Sequence, residues 1–285
     1  MTGGGTLLSL GHGYTAAALA ARLVPQGWRV IGTTRDAARL PALAAQGVEG
    51  LVWPGTPLAP LLGQATHVLS SIAPDAEGDP VIRAGAAALA AARPVWAAYL
   101  STTAVYGDHQ GGWVDEDTPL TPGTARGRWR VAAEGAWGAL GLPLHVFRLA
   151  GIYGPGRGPF AKVRDGSARR IIKPGQVFSR IHVADIAAVL EASMIRPMPG
   201  RVWNVCDDDP APPEEVIGHA AHLLGLPPPP EESWESAEMS PMARSFYAES
   251  KRVRNDRMKR DLGVRLAYPS YREGLAALLA EEGGI

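Results

Sequence analysis

The stretch Leu7-Leu8-Ser9-Leu10-Gly11-His12-Gly13-Tyr14-Thr15-Ala16 decides how this chain is read. An apolar run ends in Gly-x-Gly-x-x-Ala, and an alanine-rich segment with helical spacing follows at 14–24. Gly11 permits a tight turn, Gly13 leaves room for a ligand to approach the backbone, and the small Ala16 lets the helix pack closely on its strand. The start of that helix then presents free amides to an anion. In a strand, turn and helix at the head of a βαβ series, this arrangement suits the pyrophosphate of a dinucleotide, with Gly11, His12, Gly13 and Tyr14 around it.

Outward from this turn the alternation continues. Strand-like runs at 6–10, 28–34, 48–53, 67–72, 95–101 and 144–150 are separated by helical patterns at 14–24, 36–46, 80–92 and 125–140, and 201–205 reads as a further strand. Strands separated by helices imply parallel pairs with right-handed crossovers. The expected fold class is α/β, a Rossmann doubly wound parallel sheet of about seven strands. After Gly151 the texture changes to Gly- and Pro-rich loops, and the four prolines 227–230 exclude helix there. Helical patterns at 213–224, 249–262 and 271–282, with little strand signal, predict a small, mostly helical C-terminal lobe. The expected division places 1–157 with 177–210 in the nucleotide-binding domain and 158–176 with 211–285 in a substrate lobe.

The second strand ends Gly32-Thr33-Thr34-Arg35-Asp36. A carboxylate there would bind a ribose 2′-hydroxyl, whereas a hydroxyl followed by arginine suits a 2′-phosphate, so Thr34 and Arg35 favour NADP over NAD. Asp36 is expected to cap the helix that follows. Ser70 and Ser71, ending the fourth strand, and Ser101, ending the fifth, complete the expected cofactor contacts.

Composition narrows the partners. The 285 residues carry 28 basic and 28 acidic side chains, so no global field draws in nucleic acid or an anionic membrane. No apolar span approaches the ~18 residues that a bilayer requires, and no targeting segment is recognisable. The single cysteine, Cys206, excludes an internal disulfide and fits a reducing, cytoplasmic setting. Asp207-Asp208-Asp209 reads as a solvated loop, and His219 with His222 lacks a third ligand, so no metal is expected. Lys251, Arg254 and Lys259 read as the surface of a helix, while Arg244 and Arg252 are candidates to meet a substrate phosphate or carboxylate.

Four further segments carry a family likeness: Tyr99-Leu100-Ser101-Thr102-Thr103-Ala104-Val105-Tyr106-Gly107, Arg148-Leu149-Ala150-Gly151-Ile152-Tyr153-Gly154-Pro155-Gly156, Arg180-Ile181-His182-Val183-Ala184-Asp185-Ile186-Ala187 and Val202-Trp203-Asn204-Val205. With them the chain resembles the extended short-chain dehydrogenase/reductase superfamily, NAD-dependent epimerase/dehydratase type. The run 246–253 with Asp261-Leu262-Gly263 looks like an atypical, YeeZ-like subgroup. The resemblance implies an oxidoreductase acting on a carbonyl or hydroxyl of a small polar, sugar-like substrate. It also implies a homodimer formed through the helices at 80–92 and 126–140.

The resemblance further implies that Thr102 orients the substrate, and that a Tyr-x-x-x-Lys pair on the next helix supplies the proton and a ribose-binding cation. Matching that helix to Arg126-Gly127-Arg128-Trp129-Arg130-Val131-Ala132-Ala133-Glu134 puts Arg126 in place of the tyrosine and Arg130 in place of the lysine. A guanidinium stays protonated and cannot serve as a general base. Tyr106, Tyr153 and His182 are the alternative proton carriers, and nearby arginine is expected to lower a phenol's pKa. His182 and Asp185 also have a plainer expected role, a structural histidine and a helix cap. The glycine turn departs too, since the family's pattern is Gly-x-x-Gly-x-x-Gly. A non-catalytic NADP(H)-binding redox sensor, which needs the glycine turn but no proton relay, is the alternative function.

Overall fold

The structure is a computed structural model that describes residues 4–283. In chain order, the first half comprises β1 (Thr6–Leu10), α1 (Tyr14–Leu23), β2 (Arg29–Thr34), α2 (Leu40–Ala45), β3 (Val48–Val52), α3 (Leu58–Leu62), β4 (His67–Ser70), α4 (Pro80–Ala91), β5 (Trp96–Thr102), β6 (Trp113–Val114) and α5 (Ala125–Gly138). There follow β7 (Leu144–Leu149), β8 (Gly151–Tyr153), α6 (Phe160–Arg164), β9 (Arg170–Ile172), β10 (Arg180–His182), α7 (Val183–Ile195) and β11 (Val202–Val205). The chain ends with α8 (Pro213–Leu223), β12 (Glu231–Ser233), α9 (Pro241–Tyr247), β13 (Arg252–Val253), α10 (Asp256–Leu262) and α11 (Tyr271–Gly283).

Seven parallel strands form the central sheet in the order β11-β7-β5-β4-β1-β2-β3. Its strands are apolar along their length because both faces are covered. In β5, Trp96, Ala98 and Leu100 join the core under α1 and α7, whereas Ala97 and Tyr99 join the core under α3, α4 and α5. This two-residue alternation is what a pleated strand between two helical layers imposes. The strand order reverses between β1 and β4, and ligands of open α/β sheets sit at such a switch point, outside the carboxyl ends.

A third apolar cluster joins Tyr153, Phe160 and Val163 to Val216, Ala220, Tyr271, Leu275 and Leu278. Short parallel pairs stitch these distant segments together: β10 with β8, β12 with β9, and β13 with β6. Among the described residues no helix is long and apolar enough to cross a membrane.

Three local expectations are corrected. Helix was expected over 249–262 but begins at Asp256, because Arg252 and Val253 pair with Trp113 and Val114 as strands instead. The C-terminal region therefore contains strands that its polar, proline-rich sequence hides. Lys251 consequently lies off any helix and bonds the Gly107 carbonyl at 2.6 Å and Glu249 at 2.8 Å. Asp207 is not a solvated loop residue: it is 1% exposed, with one carboxyl oxygen buried and unpartnered, and burial pushes its pKa up to about 8.

Candidate functional site

The glycine turn is built by β2 as much as by β1. Gly11 N–H donates to the Thr33 hydroxyl at 2.8 Å and His12 N–H to the Thr33 carbonyl at 2.7 Å. Gly11 has φ +81°, a left-handed conformation that favours glycine. The His12 ring folds beneath the turn, where a Cβ on Gly32 would come within 2.8 Å of it. Burial, with Arg39 nearby, lowers that imidazole to about 4, so it is neutral. His12 thus supports the turn from below.

Gly13 precedes α1 with no side chain capping the helix, and an added Cβ there would meet nothing closer than 3.9 Å. The first-turn amides, which no helix can satisfy internally, therefore face open space. That is a cradle for an anion at the positive end of a helix dipole. By contrast, α4 is capped by Asp79 and α5 by Thr124. The residues present fit a dinucleotide's pyrophosphate.

From this turn a cleft of about 300 Å³ runs across the carboxyl edge, lined by Gly11, Gly13, Tyr14, Thr15, Ser71, Leu100, Ser101, Thr102, Arg130, Leu149, Ala150, Ile152 and Arg157. Ser71 closes the switch point, its amide donating to the Leu10 carbonyl at 3.0 Å and its hydroxyl to the Gly11 carbonyl. Ser70 is fully buried beneath, its hydroxyl without a partner, and does not line the cleft. Thr34 and Arg35 stand beyond the turn at the end of β2. Arg35 is exposed, while the Thr34 hydroxyl accepts the Asp36 amide at 3.2 Å. Asp36 accepts the Ala38 amide at 2.9 Å, as a cap does.

At the other end of the cleft, Arg130 donates from one nitrogen to the Leu100 carbonyl at 2.5 Å and the Tyr99 hydroxyl at 3.2 Å. Arg126 shares its face of α5 one turn earlier. Gly127 brings that first turn against the segment after β5, since a Cβ there would meet the Ala104 carbonyl at 3.0 Å. Arg126 itself is exposed. Thr102 is half-buried, and its hydroxyl accepts the Ala104 amide at 3.2 Å. The Ser101 hydroxyl donates to Glu134 at 2.5 Å, and Glu134 is held by Arg148 through contacts of 2.8 and 3.2 Å.

The two tyrosines expected as proton carriers are turned away from this cleft. The Tyr106 hydroxyl donates to Asn204 at 2.7 Å and accepts from Arg148 at 3.0 Å; the residue is fully buried, and burial pushes its pKa up to about 12. Tyr153 is 7% exposed, donates to the Ser270 carbonyl at 3.3 Å, and is also shifted upward by burial. Arginine was expected to lower these values; desolvation outweighs it. His182 caps α7 through Nδ1, which accepts the Ala184 amide at 3.2 Å. The expected cap, Asp185, instead accepts the amides of Ala267 and Tyr268 at 2.7 and 3.0 Å.

Sequence reasoning missed Arg39 and Arg157. Arg39 donates to the His12 carbonyl at 3.3 Å, which brings its guanidinium to the glycine turn. The signal available was its place at the end of the short turn Ala37–Arg39 that Asp36 caps. Arg157 belongs to a glycine- and proline-rich loop whose course no periodicity reveals.

No established protein-family profile matches the chain. It is 63% identical to a conserved protein of unknown function from Silicibacter pomeroyi DSS, over 98% of this chain and 99% of that one, with a TM-score of 0.93. A protein from Methylobacillus flagellatus, provisionally assigned as an NAD-dependent epimerase/dehydratase, matches 98% of this chain and 99% of its own at 27% identity and a TM-score of 0.76. Protein YeeZ of Escherichia coli K12 is 34% identical over 134 residues, 46% of this chain and 47% of its own. A 3-diazoavenalumate denitrifying reductase of a Streptomyces species is 30% identical over 182 residues, 57% of this chain and 58% of its own. The chain thus spans about half the length of the curated relatives it matches. A doubly wound sheet with a glycine turn at its switch point defines a dinucleotide-binding class of fold. Within that class, the chain is similar to proteins assigned as NAD-dependent epimerase/dehydratases, and part of it is similar to YeeZ.

Proposed function

We propose that the chain is an NADP(H)-dependent oxidoreductase that exchanges hydride with a small polar substrate bearing a carbonyl or hydroxyl. The observation that carries this reading is one continuous cleft joining the uncapped start of α1 to Ser101, Thr102 and Arg130. The α1 amides hold the pyrophosphate, and Thr34, Arg35 and Arg39 receive the 2′-phosphate. Arg130 takes the role of ribose-binding cation, Thr102 orients the substrate, and Arg126 meets a carboxylate or phosphate on it. The nicotinamide supplies or accepts the hydride.

The proton is the unusual element. With Tyr106 and Tyr153 buried elsewhere, the described residues at the reacting end of the cleft, Ser101, Thr102 and Arg130, supply hydroxyls and a guanidinium. The acceptors best suited to such a site are already polarised, so that hydride addition gives a product that water protonates. The Streptomyces relative is named as a reductase, which agrees with the reductive direction. Binding of NADPH and NADH by calorimetry, followed by NADPH oxidation with a panel of carbonyl compounds, tests the reading. Absence of binding overturns it. Tight binding without turnover favours a second reading, a sensor of the NADPH/NADP state, and the specific support for it is Arg126 standing where the family resemblance expects the proton donor.

A further inference from the structure

The loop that follows β8, Gly154-Pro155-Gly156-Arg157-Gly158, lies directly across the start of α1. Gly154 has φ +150°, and a Cβ there would fall 2.5 Å from the Tyr14 hydroxyl and 2.7 Å from Val183. The Tyr14 hydroxyl donates to the Pro155 carbonyl at 2.9 Å. Within the loop, the Arg157 amide donates to the Gly154 carbonyl at 2.8 Å, folding the chain back on itself. Arg157 is thereby laid over the Tyr14 ring, its guanidinium carbon 5.2 Å from the ring centre, and it lines the cleft with Gly11, Gly13 and Thr15.

Among the described residues no carboxylate pairs with Arg157, although it lies in the same cleft as the uncapped α1 amides. The cleft's other cation, Arg130, is already committed to Leu100 and Tyr99. A guanidinium lining the same cleft as uncapped helix amides can make a receptor for a dianion, since both donate hydrogen bonds and carry positive charge.

We propose that Arg157 is a phosphate clamp, closing on the pyrophosphate of the bound dinucleotide from the side opposite the α1 amides, with Tyr14 as its stacking platform. The proposal rests on the dinucleotide reading of the cleft. Because the pyrophosphate is common to both nicotinamide cofactors, the clamp serves affinity and not the choice between them, whereas Arg35 reads only the 2′-phosphate.

Calorimetric titration of the full chain with NADPH, NADH and ADP-ribose tests it, comparing wild type with Arg157→Ala, Arg157→Lys and Arg35→Ala. Arg157→Ala is expected to weaken all three ligands by a similar factor of about tenfold, the scale of one charge-assisted contact. Arg157→Lys, which keeps the charge, should retain much of the affinity and so separates loss of charge from collapse of the loop. Arg35→Ala should weaken NADPH alone. Unchanged binding in Arg157→Ala overturns the clamp while leaving the dinucleotide reading intact, and so does a loss confined to NADPH. Failure of the wild type to bind any of the three ligands removes both.

Discussion

Replacing Glu134 by glutamine probes the buried framework behind the cleft. Glu134 and Arg148 have side chains only 10% and 6% exposed, and Arg148 grips both carboxylate oxygens. Solvent screening is therefore slight, and the substitution leaves a guanidinium buried without its counter-charge. Breaking such a pair from one side costs about 3–5 kcal/mol. For a chain of this length each kcal/mol is worth roughly 2 °C, so Tm should fall by about 6–10 °C. Removing both charges with Glu134→Leu and Arg148→Met should restore at least half of the loss, because desolvating the pair offsets most of its attraction. Urea and thermal unfolding followed by circular dichroism measure both. A single-variant loss below about 1 kcal/mol, or a double variant no better than the single, would refute the account of a desolvated, mutually dependent pair.

Three further outcomes follow from the geometry. Arg35→Ala and Arg39→Ala should each weaken NADPH roughly tenfold and leave NADH nearly unchanged in fluorescence titrations, if both guanidinium groups receive the 2′-phosphate as proposed. Tyr106→Phe should leave NADPH affinity within about twofold and cost about 1–2 kcal/mol of stability by urea unfolding, since its hydroxyl serves Asn204 and Arg148 and not the cleft. Asp207 has a folded-state pKa of about 8, above its unfolded value, so the native state holds a proton that the unfolded state has released and stability falls as pH rises toward 8. Asp207→Asn should accordingly be more stable than wild type at pH 7, and the gap should close as the pH falls toward 4; a pH-independent gap in Tm would count against it.

The sheet was legible because its strands obey a local rule. Runs such as Leu7–Leu10 and Trp96–Leu100 are apolar because they are covered on both sides, and glycines or helical segments bound them. The glycine turn announced its anion site for the same reason, since each small residue answers a steric demand a few positions away. What stayed hidden depends on distant contacts. Arg252 and Val253 become a strand only because Trp113 and Val114 are available to pair with them. Tyr106 and Tyr153 follow strands at the carboxyl edge of the sheet in sequence, yet Asn204 and Ser270 draw their hydroxyls into the interior. The direction of a side chain at the end of a strand is set by tertiary partners, and spacing carries no record of them.

The pairing of β13 with β6 has a consequence for how the protein is made. The loop from Gly107 to Val114 is held from the far end of the chain: His109 and Gly111 donate their amides to the Ser250 carbonyl at 3.0 and 2.9 Å, and the Ser250 amide reaches Asp108 at 2.7 Å. A chain emerging from the ribosome can assemble β1, β2, α1 and the glycine turn early, because those contacts are short in sequence. The loop between β5 and β6 must wait until the 250s have been synthesised. The dinucleotide cradle is thus an early product of synthesis and the loop after β5 a late one, so a chain stalled in between would present the first without the second.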